Sequence, residues 1–282
     1  MGEPARNSVA TVTRILVATD LTQIGDAAIR VAVARAGAGE ARIGVCHVVT
    51  QTHSQPAIVD VVKQISAHLD RELGPAAREI EVMVRTGNAA DQIASCAADW
   101  NADLVIVGGV DHPIGLLRRL FHTSVVDKVV RRAPCSVLVT RRAPATRRML
   151  VGVDLDHSED VLARAAAEQT RSPCDVVVVH VVQPLPPLSS LEGTLPVPRW
   201  DNLVSTVLPN VEALVASSGL TADVRVVPGD PGSVLCDLAN ELSSEIVVVG
   251  THGRKGIARV ALGSVAEKVA SEAPCPVLVV PL

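Results

Sequence analysis

Gly250-Thr251-His252-Gly253-Arg254-Lys255-Gly256 follows a Val-rich run in the C-terminal half of the chain, and nine residues separate Gly253 from Gly263-Ser264. Glycines in such a loop let the backbone approach an anion closely, and a helix opened by Gly-Ser offers free N–H groups and a hydroxyl to phosphate oxygens. Asp154 ends an earlier apolar run, RMLVGV. In an open α/β sheet all of these residues would lie beyond the carboxyl ends of strands, where ligands bind. A carboxylate there accepts hydrogen bonds from a ribose or a base, so the set reads as a nucleotide pocket. Neither GxxxxGK[ST] nor GxGxxG occurs, which disfavours a P-loop NTPase and a Rossmann dehydrogenase.

The elements that must position these residues are written twice. RILVATD at Arg14–Asp20 recurs as RMLVGVD at Arg148–Asp154, and His47-Val48-Val49 recurs as His180-Val181-Val182. DLVIVG at Asp103–Gly108 returns as EIVVVG at Glu245–Gly250, and Ala133-Pro134-Cys135 followed by SVLV returns as Ala273-Pro274-Cys275 followed by PVLV. The order is kept while the spacing drifts, as in a duplicated domain with altered loops. Two domains are expected, 1–143 and 147–282, joined through RRAPATR. In the second copy the strands are Met149–Val153, Val176–Val182, Val224–Val227, Ile246–Val249 and Val277–Val280, each apolar without strict alternation. That pattern belongs to a parallel sheet covered on both faces. Four segments of helical period separate them, the second interrupted by Pro209, where a kink or a late start is expected. The predicted fold is α/β, two tandem doubly wound domains of five strands and four helices each.

The G-x2-G-x9-G-[ST] spacing, the Asp ending the first strand and the APCPVLVV last strand resemble the universal stress protein family. The resemblance runs twice, from Arg14 to Thr140 and from Arg148 to Leu282. It implies a parallel sheet of order 3-2-1-4-5 in each domain and an intramolecular pseudo-dimer whose last strands meet, with a homodimer of whole chains left open. It further implies a cytoplasmic, ATP-binding protein of the stress response whose nucleotide, with or without Mg2+, governs contact with a protein partner. Carried over residue by residue, Asp154 would meet the adenine or ribose beside Gly152, and Val153, Val182 and Val249 would line the base. Gly250, His252, Gly253 and Arg254 would border the ribose and phosphates, while Gly263, Ser264 and Val265 would bind the phosphates. No protein side chain is expected to ligate a metal directly. The first copy departs from the pattern: Asp20 and Gly108 are kept, but Asp111 stands at the second glycine position and Thr123-Ser124 replaces Gly263-Ser264. A carboxylate where phosphate would lie opposes ATP, so a degenerate site is expected around Asp20 and Gly108.

Composition narrows the alternatives. The 282 residues include Phe121, Trp100 and Trp200 as the only aromatics, with no Tyr, and the net charge is -4. The chain therefore lacks the stacking platforms and positive excess that nucleic-acid binding needs, and no apolar run is long enough to span a membrane. Six cysteines, none in a CxxC pair, fit a reduced compartment; Cys135 and Cys275 read as small buried hydrophobes. His47 and His180 sit inside apolar strands and read as packed, hydrogen-bonded histidines. The Pro-rich stretch Gln183–Arg199, whose counterpart in the first copy, Thr50–Pro56, is short, would lie beside the pocket. Two further readings stand beside the nucleotide-binding one: a slow ATPase, at most weakly active because no general base is evident, and a nucleotide-independent dimerisation scaffold.

Overall fold

A computed structural model describes residues 12–37, 41–50, 58–109, 125–142, 146–183, 200–251 and 262–282. The first half runs β1 (Arg14–Thr19), α1 (Gln23–Ala36), β2 (Arg42–Val49), α2 (Ile58–Leu73), β3 (Ile80–Thr86), α3 (Ala89–Asp99), β4 (Leu104–Gly108), α4 (Val125–Arg132) and β5 (Ser136–Thr140), with a 3-10 turn before β3. The second half runs β6 (Arg148–Val153), α5 (Glu159–Arg171), β7 (Asp175–Val182), α6 (Trp200–Ser217), β8 (Asp223–Pro228), α7 (Pro231–Glu241), β9 (Ile246–Gly250), α8 (Ser264–Glu272) and β10 (Val277–Val280). The helix α6 runs unbroken through Pro209 and starts at Trp200, so the expected late start does not occur.

The strands form one ten-stranded sheet of order β3-β2-β1-β4-β5-β10-β9-β6-β7-β8. Each half is parallel and ordered 3-2-1-4-5, and the halves join where β5 meets β10 antiparallel. The register is self-complementary: Val277 faces Val139, Leu278 faces Leu138 and Val279 faces Val137. The Leu138–Leu278 pair therefore marks the pseudo-two-fold axis, and the same patch is used by both halves, as in an isologous dimer. Helices α1, α2, α5 and α6 cover one face, packing on Ile15, Val17, Ile106, Leu138, Val151 and Leu278. Helices α3, α4, α7 and α8 cover the other, on Leu16, Val105, Val137, Leu150, Val247 and Val277. Strand residues alternate between two dry layers, which is why the strands read as continuous Val-rich runs.

The entries to α3 and α7 share one device. Gly87 and Gly229 adopt φ of 127° and 139°, a region that side chains disfavour, and the residue after each caps the helix. The Asn88 side chain accepts from the N–H groups of Ala90 and Asp91, and Asp230 accepts from Ser233. At the base of β1, Asp103 Oδ2 accepts from the N–H of Thr13 (2.9 Å), the N–H of Arg14 (3.0 Å) and the Thr13 hydroxyl (2.8 Å).

Charge crosses the axis on both faces. On one, Arg35 at the end of α1 donates to Glu168 of α5, which also takes two hydrogen bonds from Arg171 (3.1 and 2.9 Å) and lies 3.5 Å from Arg164 Nε. On the other, Arg131 of α4 pairs with Glu267 of α8 at 2.7 Å, and Arg141 donates to the Ala270 carbonyl. The Arg131–Glu267 pair is partly exposed and contributes little. Glu168 is different: its side chain is only 6% exposed, and those of Arg35 and Arg164 are 10% and 5% exposed. Burial by itself would raise the Glu168 carboxyl, but Arg35, Arg171 and Arg164 together outweigh it and hold the group below the usual carboxylate range. Among the described residues, no helix is long and apolar enough to cross a membrane.

Removing the Glu168 charge leaves three guanidiniums facing one another in a partly dry interface. Glu168→Gln is therefore expected to lower stability by about 3–5 kcal/mol at neutral pH, read from denaturant midpoints. Because the folded-state pKa is depressed, this contribution is present at neutral pH and lost as pH falls below the ordinary carboxylate range. The difference between the two proteins should accordingly shrink below about pH 4.

Candidate functional site

Each half leaves its first strand for the second and third, then returns to the fourth on the opposite side of the first. The chain thus reverses direction across the sheet between β6 and β9, and between β1 and β4. A crevice opens beyond the carboxyl ends of strands at such switch points.

In the second half, Thr251 organises that end of the sheet. Its N–H donates to the Val280 carbonyl (2.8 Å), its hydroxyl accepts from the Leu282 N–H (3.1 Å), and its carbonyl accepts from the Gly263 N–H (2.7 Å). One residue thereby joins the exit of β9, the end of β10 and the start of α8. The segment between, carrying His252, Gly253, Arg254 and Lys255, lies outside the described residues, yet both of its ends are fastened to the same point. Gly263 is the N-cap of α8, with φ -64° and ψ 147°, and no side chain caps it. The first helical hydrogen bond runs from Glu267 N–H to the Gly263 carbonyl (3.0 Å), so the N–H groups of Ser264, Val265 and Ala266 have no acceptor within the helix. Ser264 is exposed at this end and Val265 is partly buried. A second tie sets the helix in place. Lys268 of α8 donates to Asp230 Oδ2 (3.0 Å) and to the Ser233 hydroxyl, at the cap of α7. The hydroxyl and N–H of Ser233, together with Lys268, lower the Asp230 carboxyl to about 2.

Asp154 lies at the end of β6, flanked by β7 and β9, and is partly buried. Its backbone is clamped by Ser158: the Asp154 N–H donates to Ser158 Oγ, and that hydroxyl donates back to the Asp154 carbonyl, both at 2.7 Å. The Asp156 N–H reaches Asp154 Oδ1 at 3.4 Å. One residue back, the Val153 carbonyl is 3.0 Å from Nδ1 of the buried His180, just as the Thr19 carbonyl is 2.9 Å from Nδ1 of His47. Both histidines thus brace a first strand against a second. Val182 closes β7 partly buried, and its carbonyl accepts from the Gly229 N–H at 3.1 Å.

The remaining predicted positions are packed against protein. A Cβ on Gly152 would stand 2.7 Å from Leu235 Cδ1, and one on Gly250 would stand 2.6 Å from Leu282 Cδ1, so these glycines admit α7 and the chain end. Val249 is 2% exposed and belongs to the α7 and α8 layer, whereas Val153 belongs to the opposite layer. The Val249 side chain is therefore core, and the two valines do not form one wall.

The equivalent end of the first half is built differently. Asp20 Oδ1 accepts from the Thr22 N–H (3.0 Å) and the Thr22 hydroxyl (2.6 Å), capping its own turn. A Cβ on Gly108 would stand 2.4 Å from Ile24 Cγ2. By the offset relating Asp20 to Asp154, Ile24 occupies the position of Ser158. An aliphatic side chain thus lies over the end of β4, as Leu282 and Val161 lie over the end of β9, whereas the hydroxyl clamp of the second half is at the end of β6. Asp111, Thr123 and Ser124 lie outside the described residues. Ser158, Thr251 and Ile24 are the positions that motif reasoning did not single out. The four-residue spacing from Asp154 to Ser158, and the contrast with Ile24 in the repeat alignment, are the signals that carry them.

The family model described as the universal stress protein family matches residues 11–141 and again 145–281. A universal stress protein of Mycolicibacterium smegmatis is 27% identical over 94% of this chain and 96% of its own length. The crystal structure of a functionally unknown protein from Pseudomonas aeruginosa superposes with a TM-score of 0.71 at 18% identity, covering 98% of this chain and 94% of that one. A universal stress protein from Archaeoglobus fulgidus gives 0.66 at 17% identity, over 95% and 96%. At those identities the two structures attest the fold. The doubled ββ-crossover architecture, the antiparallel meeting of β5 with β10 and the twofold family match agree that the chain belongs to the universal stress protein family, as a tandem two-domain member.

Proposed function

We propose that the second half binds ATP, with or without Mg2+, and that the protein acts in the stress response as a nucleotide-dependent binding protein. The observation that carries the reading is the uncapped start of α8, held by Gly263 N–H on Thr251 at the same switch point as Asp154. Three N–H groups with no acceptor within the helix favour negative charge at its N-terminus, and the helix dipole adds to them. Ser264 supplies a hydroxyl donor for a phosphate oxygen, and His252, Gly253 and Arg254 would border the same group. Asp154, its backbone fixed by Ser158, would accept from the ribose or the base, beside Val153 and Val182.

No aromatic ring is available to stack on the base at the described strand ends, so recognition there falls to aliphatic contact, backbone groups and the Asp154 carboxylate. Hydrolysis needs a group that orients or deprotonates water. With Asp154 assigned to the ribose or base, no residue is assigned to the water, and the reading is binding rather than turnover. Occupancy would instead alter the surface that this strand end offers to a protein partner. The first half is read as nucleotide-independent: the Asp20 carboxylate is engaged by both the N–H and the hydroxyl of Thr22, and Asp111 stands at the second glycine position.

Isothermal titration of the nucleotide-free chain with ATP should give one site per chain; two equivalent sites would overturn this assignment. Gly263→Asp sets a carboxylate at the N-cap and should abolish binding, while an unchanged isotherm would remove the α8 terminus from the site. Ser264→Ala should weaken binding by about 1.5–3 kcal/mol, roughly 10-fold to 150-fold in Kd, by loss of one hydrogen bond to a charged group.

A further inference from the structure

The first half carries a sulfur cluster beneath its edge strand that the second half lacks. Cys46 of β2 and Cys96 of α3 are both buried, in the one layer that α3 forms against this face of the sheet. Cys96 Sγ is also 3.5 Å from Sδ of Met83, the register partner of Cys46 on β3. Two residues along β3, Arg85 hydrogen-bonds Asp99 of α3 at 2.9 Å, three residues from Cys96. The repeat alignment places Val179 and Leu238 at the positions of Cys46 and Cys96. Aliphatic side chains fill the same space in the other copy, so packing does not require thiols here.

We propose that Cys46 and Cys96 are a modification site, forming an intramolecular disulfide when the protein meets a hydroperoxide. Cys96 is the attacking sulfur. The Cys46 thiol and the neighbouring Arg85 guanidinium, against the opposing effect of burial, bring its thiol down to about 7, and Cys96 and burial push Cys46 up. A thiolate whose pKa lies near ambient pH is the best compromise between abundance and nucleophilicity. Cys135 and Cys275, by contrast, are raised to about 12 by burial.

The chemistry balances without a cofactor. The Cys96 thiolate attacks the peroxide, an S–O bond forms, the O–O bond breaks, and the departing hydroxide (or alkoxide) takes up a proton. Cys46 then attacks the sulfenic sulfur: the S–S bond forms, the S–O bond breaks, and water leaves with the Cys46 proton. Two electrons pass from the thiols to the peroxide. Access comes from the sheet edge. The strand β3 ends the ten-stranded sheet, most of its residues are half-buried, and Arg85 and Asp99 reach solvent, so a local opening at that edge exposes Cys96 without unfolding the domain.

The test uses the full chain, fully reduced and then exposed to hydrogen peroxide. The product is denatured in the presence of an alkylating agent and read by intact mass and peptide mapping. The expected product has four alkylatable cysteines of the six, with one peptide pair joining Cys46 to Cys96. Cys46→Val, which installs the residue of the second copy and keeps the core filled, should leave Cys96 as a sulfenic acid captured by dimedone. Cys96→Ala should leave Cys46 fully alkylatable. Recovery of all six thiols at the highest peroxide dose that the folded chain withstands would overturn the proposal. So would a bond joining any other pair, or loss of the Cys46 thiol in Cys96→Ala.

Discussion

Leu138 and Leu278 face each other on two short antiparallel strands, and the rest of the molecule is arranged about that pair. Each is almost wholly buried, and each belongs to a strand that is the last of its own half. An open parallel sheet has two edges with unpaired backbone groups, and an apolar edge strand invites association with another chain. Joining β5 to β10 removes the most apolar edge of each half and merges both aliphatic layers across the axis. The edges that remain, β3 and β8, carry Arg85, Glu81, Arg225 and Asp223, side chains that discourage further strand addition. The pairing is made within one chain, so these two strand edges are not available for association between chains.

The same axis explains the buried charge. Helices α1 and α5 approach it from either half, and Arg35 and Glu168 are the groups they bring together. Desolvation opposes burying either group alone, and lowers the Arg35 guanidinium despite its partner. A single carboxylate answering three guanidiniums fixes how one helix sits on the other more sharply than aliphatic contacts would, because a displaced helix leaves an unpaired buried charge. By the offset that takes His47 to His180 and matches the buried positions of the two helices, Arg35 corresponds to Glu168, so one position of the repeat carries opposite charges in the two halves. A duplicated interface has thus acquired a contact that only the tandem chain can make.

Much of this architecture was legible in the sequence, because its dominant signal is apolar runs with no alternation. The strand expected at Val176–Val182 extends by one residue to Asp175, and that at Val277–Val280 is unchanged. What escaped has physical reasons. An Arg or Glu near a helix end reads as a solvated residue, so the Glu168 cluster becomes visible only when two helices far apart in sequence are brought together. Ser158 makes its bonds to a backbone four residues away, which leaves no periodic trace. Cys46 and Cys96 are fifty residues apart, and nothing short of the crossover that lays α3 on β2 places them side by side. Pro209 misled in the other direction, since tertiary packing of α6 carries the helix through a residue that local propensity would place near its start. Of the expected nucleotide residues, those on strands and at the start of α8 can be placed, whereas His252, Gly253 and Arg254 belong to a segment outside the described residues.

Duplication also explains how two halves with one fold come to differ at their working ends. The sheet and its two layers constrain only the inward positions of each strand, and these stay aliphatic in both copies. Loops and strand ends are free of that constraint, so chemistry changes there without cost to the core. In the second half the ends of β6 and β9 keep a clamped aspartate and an uncapped helix start. In the first, Ile24 lies over Gly108, and Asp20 is turned to capping its own loop. Beneath β3 the first half places two thiols where the second half has Val179 and Leu238, and a thioether where it has Arg225. The differences between the halves thus follow from where the fold is rigid: the shared core holds the axis, and each half is free to differ at the margins that the core does not use.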